Sequence, residues 1–148
     1  MSLGVPRIIS IIGVLGIVCL SSTASARSVL VRPDTYRSLT GYLRCSLFAG
    51  PSGFPASSEK ATMVLSVPVE SPKTGCYFEG LKPGTYAVAM MHDENNNEKM
   101  DTTIIGMPAE GWAVTNNAGP SVFGPPSFDA AKFELSSTSK EIVLKLRY

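Results

Sequence analysis

Three shortages narrow what this chain can do. It has one histidine, His92, and only two cysteines beyond residue 26, Cys45 and Cys76. A zinc site needs three or four His, Cys or carboxylate ligands, so the supply of soft ligands is too small. A Ser-His-Asp triad would have to use His92 beside Asp93, and sequence neighbours seldom reach triad geometry. No Gly-x-Ser-x-Gly, Walker-type Gly-Lys-Ser/Thr or dinucleotide-binding glycine pattern occurs. An excess of one charge is missing as well. The formal net charge is +1, and the charges are scattered singly without a basic stripe. Counterion release needs clustered cations, so nucleic acid is not an expected partner.

Long apolar runs are equally scarce. The one that exists spans Ile8–Leu20, follows Arg7 and leads to Ala24-Ser25-Ala26. A basic start, a short apolar stretch and an A-x-A site describe a secretory signal peptide over residues 1–26, cleaved after Ala26. The run is short for a membrane span, which takes about 20 residues. Cys19 does not suggest a lipoprotein, because Val18 occupies the place where processing wants a small residue. Removing Arg7 with the leader leaves twelve basic and twelve acidic residues. The reading is a periplasmic or secreted protein with no stable membrane span after cleavage. Its partners are unknown, with cell-envelope components the expected class. In an oxidising compartment Cys45 and Cys76 are expected to form a disulfide, since each faces the same way as its apolar neighbours.

What remains, residues 27–148, reads as a single all-β domain. Thr40–Phe48 alternates, with Leu43, Cys45 and Leu47 opposite Tyr42, Arg44 and Ser46. Glu59–Val69, with Ala61, Met63, Val64, Leu65 and Val67, reads as a short helical turn running into a strand, and Pro68 and Pro72 confine any strand there to a sheet edge. Thr74–Leu81 and Thr85–Met91 alternate on either side of Lys82-Pro83-Gly84, which predicts a hairpin with a Pro-Gly turn. Thr85–Met91 is apolar on both faces and is expected to be central. Thr102–Met107 reads as a short strand, and Lys132–Leu135 with Glu141–Arg147 as a last hairpin. Residues 106–131 show no clear period and read as a long loop, pinned by Trp112, Phe123 and Phe128. The fold expected is an antiparallel β-sandwich of about seven strands, prealbumin-like.

The densest run of oxygen-bearing side chains lies between the central strand and that loop. Asp93, Asn95, Asn97 and Asp101 stand at relative positions 1, 3, 5 and 9, with the Lys99 carbonyl at position 7. That is the spacing of a calcium loop, with Glu110 a candidate additional ligand. Position 6 is Glu98 instead of Gly and position 12 is Ile104 instead of Glu, so any binding would be weak, in the millimolar range of extracellular modules. The other reading is a metal-free turn, because Asn and Asp bond their own backbone and tolerate left-handed dihedrals. His92 is read as a strand-end residue whose ring bonds a nearby backbone group. No catalytic set is identified. The functional-loop candidates are His92, Trp112, Asn116 and Asn117, on a binding or structural module. The competing class is an extracellular hydrolase using carboxylates near His92.

Several phrases carry a family resemblance. Phe78-Glu79-Gly80-Leu81-Lys82-Pro83-Gly84-Thr85-Tyr86 resembles a phrase of prealbumin-like and carboxypeptidase-regulatory-like sandwiches. The block His92-Asp93-Glu94-Asn95 with Asn97 and Asp101 is similar to the signature of the bacterial domain-of-unknown-function family 2141. Ile105-Gly106-Met107-Pro108-Ala109-Glu110-Gly111, Asn116-Asn117 and Gly124-Pro125-Pro126-Ser127-Phe128 resemble it too, as does Leu47-Phe48 followed by Gly53-Phe54-Pro55. The resemblance implies an exported bacterial β-sandwich without an assigned activity. It also implies glycine at two positions where this chain carries Asn96 and Glu98.

Overall fold

Period-two alternation sorts the residues onto two sheets that share one core. The computed structural model describes residues 26–122 and 124–148. The expected leader, apart from Ala26, and Phe123 lie outside the described residues. Within them the strands are β1 (Arg27–Pro33), β2 (Tyr42–Phe48), β3 (Met63–Pro68), β4 (Cys76–Leu81), β5 (Gly84–Asp93), β6 (Gly111–Val114), β7 (Phe133–Leu135) and β8 (Ser139–Leu144). A single helical turn, α1 (Phe128–Ala131), precedes β7. One sheet runs β4-β1-β8, with β1 and β8 parallel. The other runs β3-β2-β5-β6, and β7 pairs antiparallel with the start of β5. The all-β sandwich expected from the sequence is what forms, with eight strands among the described residues.

Val29, Val31, Phe78 and Leu144 face Leu43, Leu47, Val88 and Met90 across the core. Cys45 on β2 and Cys76 on β4 are bonded, with Cα atoms 6.4 Å apart and 31 positions between them in sequence. The bond therefore ties the two sheets together and, for a loop of that length, contributes on the order of 3 kcal/mol. β5 is central, as its doubly apolar pattern predicts. Tyr86, Val88 and Met90 enter the main core. Ala87 packs on the opposite face with Val114 and Ala131, against Phe54 and Phe128.

Four local expectations are corrected. The strands on either side of Lys82-Pro83 do not make a hairpin: β4 pairs with β1 and β5 with β2. Cys76 and Phe78 face Val88 across the core, so the short link carries the chain from sheet to sheet. The closing hairpin is absent for the same reason, since β7 joins β5 while β8 joins β1. The stretch 106–131 is not all loop, because β6 sits inside it and pairs with β5. At four residues β6 is too short for its alternation to register. Thr102–Met107 is a turn with one bridge, Thr102 to Pro108. Met63–Pro68 is an edge strand, as the sequence suggested, and Phe128–Ala131 forms a helical turn. No helix among the described residues is long and apolar enough to cross a membrane.

Candidate functional site

Where β5 ends, the chain turns a corner around one buried carboxylate. Asp93 is fully buried. Arg44 Nε donates to its Oδ2 at 2.6 Å, and the backbone N–H groups of Asn97 and Glu98 donate to its two oxygens at 3.1 and 3.0 Å. Burial alone would push the Asp93 carboxyl up, but Arg44 and the two N–H donors outweigh it and hold it below its ordinary value. Glu94 is held below its ordinary value first by Arg37, which bonds Oε2, against opposing burial, and also by Ser38, whose hydroxyl donates to Oε1 at 2.6 Å.

The remaining oxygens of the run bond within it. Asp101 accepts from the side-chain amides of Asn95 and Asn97 at 2.7 and 2.9 Å. The amide oxygens of Asn95 and Asn97 accept the N–H groups two residues on, at 3.1 and 2.9 Å. These are Asx turns, in which a side chain substitutes for a backbone turn partner. Glu110, buried, accepts the N–H groups of Glu94 and Asp101 at 3.0 and 3.3 Å. The sequence candidates Asp93, Asn95, Asn97, Asp101 and Glu110 thus lie in one corner, bonded to each other and to backbone. Lys99 is on the same loop with its N–H held by Asn97. Among the described residues no three His, Cys, Asp or Glu side chains converge as a metal-ligand group.

His92 projects from the opposite face of β5 to Asp93, as successive strand residues must. The two do not form a catalytic pair. The imidazole is fully buried, with Nε2 2.9 Å from the Thr40 carbonyl and Nδ1 2.9 Å from the Tyr148 hydroxyl. A carbonyl only accepts, so Nε2 donates a proton to Thr40, and Nδ1 shares a hydrogen bond with the Tyr148 hydroxyl. Tyr36 stacks edge-on against the ring at 5.1 Å. Burial pushes the phenols of both Tyr36 and Tyr148 up, which keeps them neutral. His92 is a tie between β5, the segment before β2 and the last residue of the chain.

The outer face of the larger sheet is the second feature. Cross-strand register sets Val64, Ser46, Ala89 and Val114 in one row across four strands. The next row is Ser66, Arg44, Met91 and Trp112. Small side chains at Ser46 and Ala89 leave a trough between the bulkier second row and the Phe54–Phe128 cluster. Two loops raise its sides: Met100, Met107 and Pro108 on one, Pro120, Pro125 and Pro126 on the other. The result is a cleft of about 1080 Å³ with a mostly apolar lining. Its walls are the two loops the sequence marked as functional, 92–101 with its continuation and the stretch within 106–131.

Trp112 lines this cleft and has Arg147 over its ring at 5.2 Å. Asn116 and Asn117 do not line it; they pin the second wall. Both have positive φ, 61° and 52°. Asn116 donates to the carbonyls of Ala130 and Lys132, and Asn117 Oδ1 accepts the Lys145 N–H at 2.8 Å. Thr115, which sequence reasoning passed over, is fully buried. Its hydroxyl accepts from the Val88 N–H at 3.0 Å and donates to the Ala131 carbonyl at 2.6 Å. A threonine directly after a strand of four was the only available signal.

Residues 31–143 match the family described as "Uncharacterized protein conserved in bacteria (DUF2141)". The match spans most of the chain, which therefore belongs to that family. No curated protein and no solved structure matches it.

The corner makes two predictions. Asn96 and Glu98, where the family resemblance implies glycine, have φ of 57° and 66°. A left-handed residue other than glycine costs about 1–2 kcal/mol, with asparagine the tolerated exception. Glu98→Gly is therefore expected to raise stability by about 0.5–1 kcal/mol in urea denaturation at neutral pH, net of the lost glycine entropy. A loss would show that the 3.6 Å contact from Glu98 to Arg44 outweighs the strain. The second concerns acid. The folded-state values of Asp93 and Glu94 lie below the ordinary carboxylate range, so their stabilisation is complete above about pH 4.5. It is lost as pH falls through the lowered folded values. The urea midpoint is expected to drop below pH 4, with a shallower drop in Asp93→Asn; parallel curves for the two proteins would contradict it.

Proposed function

We propose that the protein is an exported binding module of the cell envelope whose ligand occupies the cleft on the outer face of β2, β5 and β6. The observation that carries this reading is the cleft itself. About 1080 Å³ is at the upper end of the range of small-molecule sites, and such sites are concave, mostly apolar and largely pre-formed. The loops that wall it are held by a rigid sheet, the usual placement for binding loops. Export is supported by the signal-like residues 1–26 and by the Cys45–Cys76 bond, which suits an oxidising compartment.

The test uses a neutral apolar dye, N-phenyl-1-naphthylamine, and Trp112, the only tryptophan of the chain. The native protein is expected to bind one dye with energy transfer from Trp112. Ala89→Phe and Ser46→Phe, which fill the trough from its floor, are expected to weaken binding at least tenfold, about 1.4 kcal/mol, with little change in melting temperature. Dye binding that neither variant disturbs places the ligand elsewhere and sinks the reading.

We infer that the 93–101 loop serves as a metal-free corner supporting the first wall of this cleft. Its Asn and Asp oxygens already accept two Asx-turn bonds and two amide bonds, and Asp93 is neutralised by Arg44. A calcium ion needs six to eight oxygens, which here would have to leave these partners. Melting curves in 5 mM CaCl₂ and 5 mM MgCl₂ are expected to coincide with the metal-free curve; a rise with Ca²⁺ alone would restore the calcium loop over Asp93, Asn95, Asn97, Lys99 and Asp101.

A further inference from the structure

The cleft's lining also speaks to what kind of molecule fits it, given that it is a binding site. The floor row Val64, Ser46, Ala89 and Val114 crosses four strands, and strands lie about 4.8 Å apart, so that row is about 14 Å long. Elongation favours a chain over a disc. Three thioethers, Met91, Met100 and Met107, line it beside Trp112. Methionine is unbranched, flexible and polarisable, and it moulds to ligands without a fixed shape. The floor offers few polar atoms, and a polar ligand body would lose its hydration without replacement partners.

Charge decides the rest. Three charged side chains line the cleft: Arg44, Glu98 and Lys99. Arg44 is already engaged by Asp93, by Ser66 at 3.1 Å and by Asn96 at 2.8 Å, and it also draws Glu98 at 3.6 Å. Lys99 is exposed on the rim, and its ammonium has no hydrogen-bond or carboxylate partner among the described residues. From Thr102 to Phe128 the only charged residue is Glu110, which is buried and bonded to backbone N–H groups. Aliphatic side chains stand out on both walls instead, with Ile104 and Val122 at 106% and 91% exposure.

We propose that the cleft binds an amphipathic anion, a long-chain carboxylate or phosphate monoester, with its chain in the trough and its acid group on Lys99. The proposal rests on the cleft being a binding site, and the experiment separates the two. Dodecanoate, dodecyl phosphate and dodecanol, each below its micelle concentration, are titrated against wild type, Lys99→Gln, Lys99→Arg and Ala89→Phe, with Trp112 fluorescence as readout. Ala89→Phe is expected to weaken all three ligands. Lys99→Gln is expected to weaken the two anions about fivefold, the worth of one exposed ion pair, and to leave dodecanol unchanged, with Lys99→Arg restoring the anions. Flotation with vesicles containing phosphatidic acid, a membrane phosphate monoester, distinguishes the source. Binding of the soluble anions without flotation assigns a free amphiphile. Lys99-dependent flotation with no binding of soluble anions assigns a membrane lipid. Equal affinities for dodecanol and dodecanoate, unmoved by Lys99→Gln, overturn the anionic ligand and leave the cleft standing. Failure of all these ligands and of the neutral dye overturns both.

Discussion

A carboxylate with no exposure to water, Asp93, is the point on which the functional end of the molecule turns. A buried charge is tolerated only when paired and hydrogen-bonded, and Asp93 receives one guanidinium bond and two backbone bonds. The donors come from two places. Arg44 is on β2, and the N–H groups belong to the chain after β5. Neutralising this one group therefore fixes where the chain leaves the sheet. It also orients Arg44, whose other nitrogens reach β3 through Ser66 and the corner through Asn96. Gly41, with φ of 73°, packs so tightly beneath the turn that a Cβ there would lie 2.0 Å from the Asp93 carbonyl oxygen. Close approach and left-handed backbone both require glycine at that position.

From that anchor the loop is self-consistent. Its polar atoms turn inward, to Asp93, to Glu110 and to one another. Its apolar side chains, Met100 and Met107, are left for the cleft. A loop whose hydrogen bonds are completed internally can stand above a sheet as a wall without a second layer of protein behind it. The opposite wall uses the same device with other residues. Asn116 and Asn117 take the left-handed turn, and their side chains are bonded to the backbone around α1 and after β8. Two asparagine-rich turns thus hold a trough open on a sheet face that would otherwise be flat.

Much of this was legible in the residues. Alternation in 40–48, 74–81 and 85–91 identified three strands and their inward faces, and it placed Cys45 and Cys76 where they could meet. The double apolarity of Thr85–Met91 marked the central strand. The Asn and Asp run announced a tight corner, and its left-handed positions fall where the family resemblance implies glycine. What escaped was non-local. Lys82-Pro83-Gly84 carries the same turn chemistry whether the next strand pairs with the last one or crosses the core, so local signals could not tell a hairpin from a crossover. β6 lay unseen because four residues between Gly and Asn hold too little pattern. The cleft was invisible for a related reason: Ser46, Ala89 and Val64 are far apart in sequence, and only strand register makes them one floor.

That last point changes which residues matter. A reading confined to the chain draws attention to the chemically rich stretch, His92 with Asp93 and the oxygens after them. In the fold His92 is bonded to Thr40 and Tyr148, and the oxygens to Arg44, to backbone N–H groups and to one another, and a group whose bonding capacity is filled has little left for a ligand. Unfilled capacity lies elsewhere: apolar surface that water covers poorly and, among the described residues, a cation without a partner. Met91, Met107 and Trp112 supply the first, and Lys99 supplies the second. Lys99 sits two residues from each of Asn97 and Asp101 and is, among the described residues, the corner's one side chain with a free charge beside the cleft. The corner and the cleft are therefore one arrangement, in which the buried network holds in place the loop whose outward residues line the cleft.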